Sequence, residues 1–321
     1  MKKLWLLIHV FIFVSATSHA QQPDTLIHKL DSLNIKTDSA GGQKNNINPA
    51  AYNATTRITF PGYFILLGSD FKQQLTAPFH LTGNGAIRTG EFAASIAAFT
   101  LLDEPVQRTA LKTRNSNTVR SVSKYITNSG GIFEAYTLSA LGAYGFAFKN
   151  VKMQTTTLLA TQAYLTSGTM EGIIKFIAGR QRPNYYDPSK ADAEPTFHGP
   201  LFKPSNTING NHLSTSFPSG HTTVAFAAAT VFAMEYKHTP WVPIVSYSAA
   251  SLIGISRLTE NKHWATDVIA GAALGYLCGR QVVNNYHRYA KIKSGKPKNT
   301  VYFNMGYSNG TLMPGLTYNF R

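Results

Sequence analysis

The stretch Ser216-Phe217-Pro218-Ser219-Gly220-His221-Thr222 joins a polar, turn-rich loop to an Ala-rich apolar run over residues 224–234. Proline fits the first turn of a helix and serine caps free backbone N–H groups, so Pro218 and Ser219 predict a helix start. Gly220 has no side chain, which lets a ligand approach the backbone closely. The sequence therefore predicts a helix whose N-terminus is open to a ligand.

A helix N-terminus of this kind is suited to bind phosphate, because unpaired N–H groups and the positive end of the helix dipole meet there. His221 would stand at the edge of such a site, where its ring could donate a proton. Taken alone, however, the pattern is also that of an ordinary helix start that carries a histidine. Two further groups of residues decide between these interpretations.

The first group is Lys175 and Arg182-Pro183, at the end of an apolar run. A spacing of seven residues is nearly two helical turns, so both cations are predicted to project from one helix face. There they would bind the non-bridging oxygens of a phosphate, arginine in a bidentate manner. Pro183 is predicted to stop the helix. The alternative is an ordinary basic helix end that complements the helix dipole.

The second group is Ser256-Arg257, followed by His263 and Asp267. His263 and Asp267 are four residues apart at the head of a predicted helix. Asp267 is therefore expected to accept the ring N–H of His263, fix its tautomer and leave the other nitrogen as a nucleophile. Arg257, at the close of the preceding helix, would add a third cation. The alternative is a hydrogen-bonded His–Asp pair on a helix surface.

Together, the three groups resemble the signature of the type 2 phosphatidic acid phosphatase superfamily. That family includes bacterial class A acid phosphatases, lipid phosphate phosphatases and vanadium haloperoxidases. The resemblance covers roughly residues 91–287, in the family's order and spacing. The matching residues are Lys175, Arg182, Pro183, Pro218, Ser219, Gly220, His221, Ser256, Arg257, His263 and Asp267.

The resemblance implies a role for each site residue. His263 would attack phosphorus and form a phosphohistidine, Asp267 would orient it, and His221 would protonate the leaving oxygen. The phosphate oxygens and the charge of the transition state would be held by Lys175, Arg182, Ser219, Gly220 and Arg257. No metal and no cofactor is expected, because these cations would supply the electrostatic stabilisation.

Three neighbouring residues are left out of the predicted site. Arg180 is close to the phosphate-binding face but offset from the stripe formed by Lys175 and Arg182. His198 and His212 are interpreted as plain loop histidines.

The chain is predicted to have four parts. Residues 1–20 have a charged start, a short apolar core and a small-x-small end, which is typical of a cleaved signal peptide rather than a membrane anchor. Residues 21–80 are predicted to be a polar lead-in with one short helix near residues 25–33, and residues 58–67 to be a short strand or interfacial segment. Residues 81–292 would form a helical phosphatase domain, and residues 293–321 a basic linker and a β-hairpin.

The fold is predicted to be all-α, a bundle of about six main helices with a small C-terminal β-hairpin. The six helices correspond to the apolar runs 92–102, 135–148, 155–177, 222–234, 241–255 and 268–278. Asn309-Gly310 is a strong hairpin-turn signal between residues 301–307 and 312–320. None of the runs is a clean apolar stretch of about 18–20 residues, so the sequence leaves open whether the bundle enters a membrane.

The charge balance favours an anionic partner, because the 321 residues include 30 Lys+Arg against 15 Asp+Glu. Export and the lack of a nucleic-acid-binding signature argue against nucleic acid. A phosphorylated small molecule or lipid is the expected substrate, and a membrane surface is a possible partner. Cys278 is the single cysteine, so it cannot form an internal disulfide, and it is interpreted as a small packing residue.

The predicted function is that of an exported, metal-independent phosphatase of the cell envelope, periplasmic or membrane-associated, with its active site outside the cytoplasm. The favoured substrates are phosphomonoesters or pyrophosphates of envelope lipids. A soluble broad-specificity acid phosphatase, a vanadium-dependent haloperoxidase and a non-catalytic envelope protein remain as alternatives. The natural substrate, the oligomeric state and the depth of membrane insertion are left open by the sequence.

Overall fold

A computed structural model describes residues 58–186, 193–200, 202, 215–294, 300–308 and 311–319. The predicted signal peptide, the predicted short helix near residues 25–33, the Asn309-Gly310 turn and His212 lie outside the described residues.

The described part of the chain is mostly helical, with nine α-helices and three single-turn 3-10 segments within the described ranges. The helices are α1 Phe60–Thr76, α2 Gly83–Phe99, α3 Asp103–Arg114, α4 Asn117–Asn128, α5 Ile132–Ala147, α6 Val151–Ala178, α7 Gly220–Glu235, α8 Trp241–Thr259 and α9 Ala265–Ser294. The 3-10 segments are Ala77–His80, Thr100–Leu102 and Pro183–Tyr185. Two antiparallel strands follow, β1 Thr300–Ser308 and β2 Thr311–Asn319.

The predicted all-α architecture of the main body is confirmed, and each of the six apolar runs falls within helix or its terminal turn. The structure adds helices that no apolar run announces. Helices α3 and α4 are short and polar in sequence, and they bury only a few side chains, such as Asp103, Ser123 and Thr127. None of the helices in the described ranges has both the length and the apolar character that crossing a membrane requires.

Helix α1 corrects the expectation of a strand at residues 58–67, because the chain is helical from Phe60 onwards. Thr59 is the N-cap, and its hydroxyl oxygen accepts a hydrogen bond from the Gly62 N–H at 3.3 Å. Pro61 lies in the first turn, where a missing N–H costs nothing because first-turn N–H groups have no partner within the helix. The proline therefore starts this helix instead of breaking it.

Helix α1 packs against α6 and α9, so the helical body begins at Phe60 rather than at residue 81. Leu66 joins the apolar core that α6, α7 and α9 share. One turn further along, the fully buried Asp70 accepts hydrogen bonds from Gln281 at 3.1 Å and Asn285 at 2.8 Å. A polar network thus fastens α1 to the middle of α9.

Helix α7 lies at the centre of the body and is covered by α6, α8 and α9. It runs parallel to α9, and three glycines on α9 permit the contact. A Cβ atom added to Gly271, Gly275 or Gly279 would lie 2.7, 2.2 or 2.5 Å from the backbone oxygen of Ser219, Thr223 or Ala227, respectively. The repeat of four residues on both helices brings their N-termini to the same end of the body.

The contact between α7 and α9 predicts a large effect of one added methyl group. We expect Gly275→Ala to destabilise the protein by roughly 1–3 kcal/mol, because backbone has to move to accommodate it, and to lower Tm by several °C. The matched control is Gly68→Ala on α1, where nothing lies within 4 Å of the added Cβ. Thermal unfolding of both variants checks this, and an unchanged Tm for Gly275→Ala would contradict the packing described.

Candidate active site

The three groups of predicted site residues come together at the end of the body where α7 and α9 begin. Gly220 is the first residue of α7, and His263 precedes α9 by two residues. The two helix starts are tied directly, because the Ser219 N–H donates to the backbone oxygen of Asp267 at 2.9 Å. Two helix N-termini therefore point their unpaired N–H groups and positive dipole ends into one region.

His263 is almost fully buried, with 3% of its surface exposed, and its ring is held through Nδ1. Nδ1 lies 2.8 Å from the backbone oxygen of Ser216 and 3.5 Å from Oδ2 of Asp267. A carbonyl oxygen only accepts hydrogen bonds, so Nδ1 carries the proton and Nε2 keeps a free lone pair. The predicted tautomer is thus obtained, although the nearest acceptor of the ring N–H is Ser216 rather than Asp267.

Asp267 accepts hydrogen bonds on both carboxylate oxygens. Its Oδ2 accepts from the Ser216 hydroxyl at 2.5 Å and from the Trp264 N–H at 2.8 Å, and its Oδ1 accepts from Arg180 at 2.6 Å. Burial by itself raises the pKa of Asp267, but the interaction with the His263 ring, 3.5 Å away, and the charge of Arg180 outweigh it and lower the pKa. Asp267 is therefore an ionised carboxylate that holds three segments in place around His263, namely those that contain Ser216, Trp264 and Arg180.

Lys175, Arg182 and Arg257 form a cationic cluster around this histidine, and each comes from a different part of the fold. Burial, followed by the charges of Arg182 and Arg257, lowers the pKa of Lys175 to about 8. Burial also lowers the pKa of Arg257 to about 10, although Glu260 at 3.3 Å opposes the shift. Cations that destabilise one another in this way favour the binding of an anion between them.

Arg182 reaches the cluster by a different route from the one predicted. Helix α6 ends at Ala178, and Gly179 caps it in the left-handed region with φ 57°. A side chain at Gly179 would also clash, because its Cβ would lie 1.8 Å from the backbone oxygen of Gly199. Arg182 follows in extended backbone, with its guanidinium 3.4 Å from the backbone oxygen of Thr215. It therefore does not share a helix face with Lys175, and Gly179 rather than Pro183 ends the helix.

Ser219 and Gly220 form the start of α7 as predicted, with one difference. The Ser219 hydroxyl makes no capping hydrogen bond; it accepts from the Thr222 hydroxyl at 2.9 Å instead. Gly220 lies directly against α6, since an added Cβ would be 2.5 Å from Oε1 of Glu171 and 3.3 Å from Nζ of Lys175. The missing side chain thus lets Lys175 approach the N-terminus of α7.

Glu171 is a site residue that the sequence analysis missed. It lies one turn before Lys175 on α6 and forms an ion pair with it. The Glu–Lys spacing of four residues is a visible signal, but on most helices the same spacing marks an exposed surface pair.

His221, the second residue of α7, lies against the turn between α4 and α5. A Cβ added to Gly131, which has φ 62°, would be 3.0 Å from Nε2 of His221. The Tyr164 hydroxyl donates to the Gly131 oxygen at 3.1 Å and holds this turn in place. Burial, followed by the charges of Arg257, Arg182 and Lys175, lowers the pKa of His221 to about 4. A bound phosphate would offset those charges and favour the protonated ring.

Arg180, excluded by the sequence analysis, is fully buried and contacts Asp267 directly. Arg182 is half-buried and lies near Lys175 and Arg257, whereas Arg180 is buried against the two carboxylates Asp103 and Asp267. Its ring neighbours are Phe197 and Trp264, at 4.5 and 5.5 Å from the guanidinium carbon. His198 is exposed and stacks on Phe202, as expected for a loop histidine. Across the described ranges, no three His, Cys, Asp or Glu side chains gather as metal ligands.

Comparison with known proteins identifies the domain that contains this site. Residues 156–291 match the PAP2 superfamily, that is, the type 2 phosphatidic acid phosphatases. The chain therefore carries a PAP2 superfamily domain, which confirms the resemblance inferred from the motifs.

Two curated relatives with similar sequences are lipid phosphatases by name. The chain is 54% identical over 65 residues to a lipid A 1-phosphatase of Porphyromonas gingivalis, covering 20% of this chain and 15% of the relative. It is 31% identical over 166 residues to lipid phosphate phosphatase 1 of Arabidopsis thaliana, covering 42% and 49%. The chain thus spans less than half the length of both relatives.

Among solved structures, a transmembrane PAP2-type phosphatidylglycerolphosphate phosphatase from Bacillus subtilis is similar with a TM-score of 0.41 and 24% identity. The match covers 74% of this chain and 96% of that one.

The burial of His263 predicts a specific loss of stability in acid. Burial, partly opposed by Asp267, lowers the pKa of His263 to about 3, whereas an unfolded histidine has a pKa near ~6.5. As the pH falls from 7 to 5, the unfolded chain takes up a proton that the folded protein does not. This costs about 2 kcal/mol at pH 5, or roughly 4–8 °C in Tm for a chain of this size.

The measurement is the fall in Tm between pH 7 and pH 5. We expect the fall in Tm to be smaller in His263→Asn than in the wild type by roughly 4–8 °C. The exposed His238, beyond the other end of α7, gives the matched control His238→Asn, which should fall as the wild type does. Equal falls in all three proteins would show that His263 is not held neutral.

Proposed function

We propose that this protein is a phosphatase that hydrolyses lipid phosphates through a phosphohistidine at His263. The observation that carries the proposal is the surroundings of His263: its Nε2 is unprotonated, and the charges of Arg182 and Lys175 act on its ring. Arg257 acts on both of these cations, so the three charges together favour an anion beside the histidine. The names of the curated relatives support lipid phosphates as the substrate class.

In the first step, the lone pair of His263 Nε2 attacks phosphorus, and the bond from phosphorus to the leaving oxygen breaks. His221 gives its proton to that oxygen, after binding of the phosphate has favoured the protonated ring. In the second step, a water molecule attacks phosphorus and transfers its proton to His221. The bond between phosphorus and Nε2 then breaks, and inorganic phosphate leaves.

The remaining predicted residues stabilise the charge on the transferring phosphoryl group. Lys175, Arg182 and Arg257 would contact its non-bridging oxygens, together with the N–H groups at Gly220 that open α7. Ser219 would support this helix start. Because a pentacoordinate phosphorus carries more charge on these oxygens than the substrate does, the cations favour the transition state.

The surface beside the site supports a lipid as the substrate. The last turn of α6, which carries Lys175, also carries Phe176 and Ile177, which are 59% and 57% exposed. On α8, Leu252 and Ile255 are also exposed close to Arg257 in sequence. Apolar side chains beside a cationic site match a molecule with a phosphate head and an apolar tail. We propose further that the protein is exported and works at the envelope membrane surface.

The first test is hydrolysis of a chromogenic phosphomonoester in EDTA, without added metal. Wild-type protein is expected to be active and to be inhibited by vanadate, which mimics the pentacoordinate phosphorus. His263→Ala should lose at least ~10⁴-fold in kcat, because it removes the nucleophile. His238→Ala, with an exposed histidine at the other end of α7, should retain wild-type activity.

The outcomes separate the proposals. Activity that survives in His263→Ala would show that another residue is the nucleophile. Halide oxidation that requires vanadate would replace the phosphatase with a haloperoxidase. A panel of lipid phosphates in detergent micelles, compared with water-soluble phosphate esters, tests the substrate class: equal kcat/KM for both sets would contradict a lipid substrate.

A further inference from the structure

A buried charge cluster lies behind the site, made of Asp103, Arg180, Thr266 and Asp267. All of them except Asp267 lie outside the motifs that define the site, and all are fully buried. Asp103 is the first residue of α3, Arg180 follows α6, and the other two lie in the first turn of α9. Three distant parts of the chain therefore meet at the carboxylate that holds the segment around His263.

The guanidinium of Arg180 is shared between the two carboxylates. Its Nη2 donates to Oδ2 of Asp103 at 2.5 Å, and its Nη1 donates to Oδ1 of Asp267 at 2.6 Å. Its remaining hydrogen bonds go to the Thr266 hydroxyl at 2.7 Å and the Pro195 backbone oxygen at 2.9 Å. Asp103 also accepts from the Thr266 N–H at 2.9 Å and from the Thr266 hydroxyl at 2.7 Å, so it caps the start of α9.

The hydrogen bonds establish the charge of this cluster. All four oxygens of Asp103 and Asp267 accept hydrogen bonds, and Arg180 forms an ion pair with each carboxylate. Burial raises the pKa of Asp103, but the charge of Arg180 and the hydrogen bonds from Thr266 oppose that shift, so we assign both carboxylates as ionised. Two carboxylates and one guanidinium leave a net charge of minus one. Arg180 with Asp267 alone would be neutral.

We propose that Asp103 is a positioning residue for phosphoryl transfer, acting through Arg180 on Asp267 and His263. When Nε2 of His263 bonds to phosphorus, Nδ1 keeps its proton and the ring becomes cationic. A buried cation needs a compensating charge nearby. By drawing part of the Arg180 charge away from Asp267, Asp103 leaves the cluster with the single negative charge that balances the ring.

This inference rests on the proposed phosphohistidine mechanism and adds to it a residue outside the motifs. If Asp103 only capped α9, activity would depend on the number of hydrogen bonds that are kept. In the proposed role, the rate of phosphoryl transfer depends on the net charge of the cluster instead.

The test compares Asp103→Asn with the double variant Asp103→Asn/Arg180→Gln. Asp103→Asn makes the cluster neutral, and we expect kcat to fall roughly 10- to 100-fold with little change in KM. The double variant removes both partners but restores the charge of minus one. Its kcat is therefore expected to recover roughly tenfold or more relative to the single variant, although it has lost more hydrogen bonds.

Circular dichroism and Tm show which variants are folded. A folded Asp103→Asn with wild-type kcat, or a folded double variant no faster than Asp103→Asn, would overturn the inference. If Asp103→Asn does not fold, Arg180→Lys decides: it keeps the charge, so a folded protein should remain within about tenfold of wild type, and a greater loss would overturn the inference. If the wild-type protein has no phosphatase activity, the proposed function is rejected. If the wild type is active but the kcat values of the variants do not follow the net charge of the cluster, only the role of Asp103 is rejected.

Discussion

The Asp267 carboxylate is the point on which the geometry of the site depends. It accepts hydrogen bonds from Ser216 before α7, from Trp264 beside the candidate nucleophile and from Arg180 beyond α6. A buried carboxylate is stable only when its oxygens are satisfied, so these three segments are held at fixed positions. The backbone oxygen of Ser216, placed in this way, orients His263.

This arrangement requires α7 and α9 to lie in close, parallel contact. Gly275 and Gly279 bring the two backbones together, and the Ala-rich face of α7 leaves no side chains to hold them apart. Parallel packing places two helix N-termini at one end, and the ends of α6 and α8 deliver Lys175 and Arg257 to the same place. In the sequence, these small residues are visible only as a high Gly and Ala content. In the structure, they allow the close packing that brings two helix N-termini and two cations together, and so they produce the positive potential where a phosphate would bind.

Much of this could be predicted from the sequence, because the signals are local. Apolar runs marked the main helices, and Pro218-Ser219-Gly220 marked the start of α7. The failures concern contacts between distant residues. Lys175 and Arg182 looked like neighbours on one helix because the left-handed turn at Gly179 is not visible in a spacing rule. For the same reason, Arg180 appeared to be offset from the phosphate-binding face. Asp103 lies at the start of a polar helix, and its burial depends on contacts with residues distant in sequence.

The most direct test of the account is to locate the phosphate bound covalently during turnover. His221→Asn, mixed with a phosphate ester whose leaving group needs no proton, should accumulate the phosphoenzyme because the water attack is slowed. Rapid alkaline quenching, digestion and mass spectrometry would then identify the modified residue. The account predicts one phosphate on His263, lost in the double variant that also carries His263→Ala. Phosphate on another residue, or continued turnover with no phosphate on His263, would contradict it.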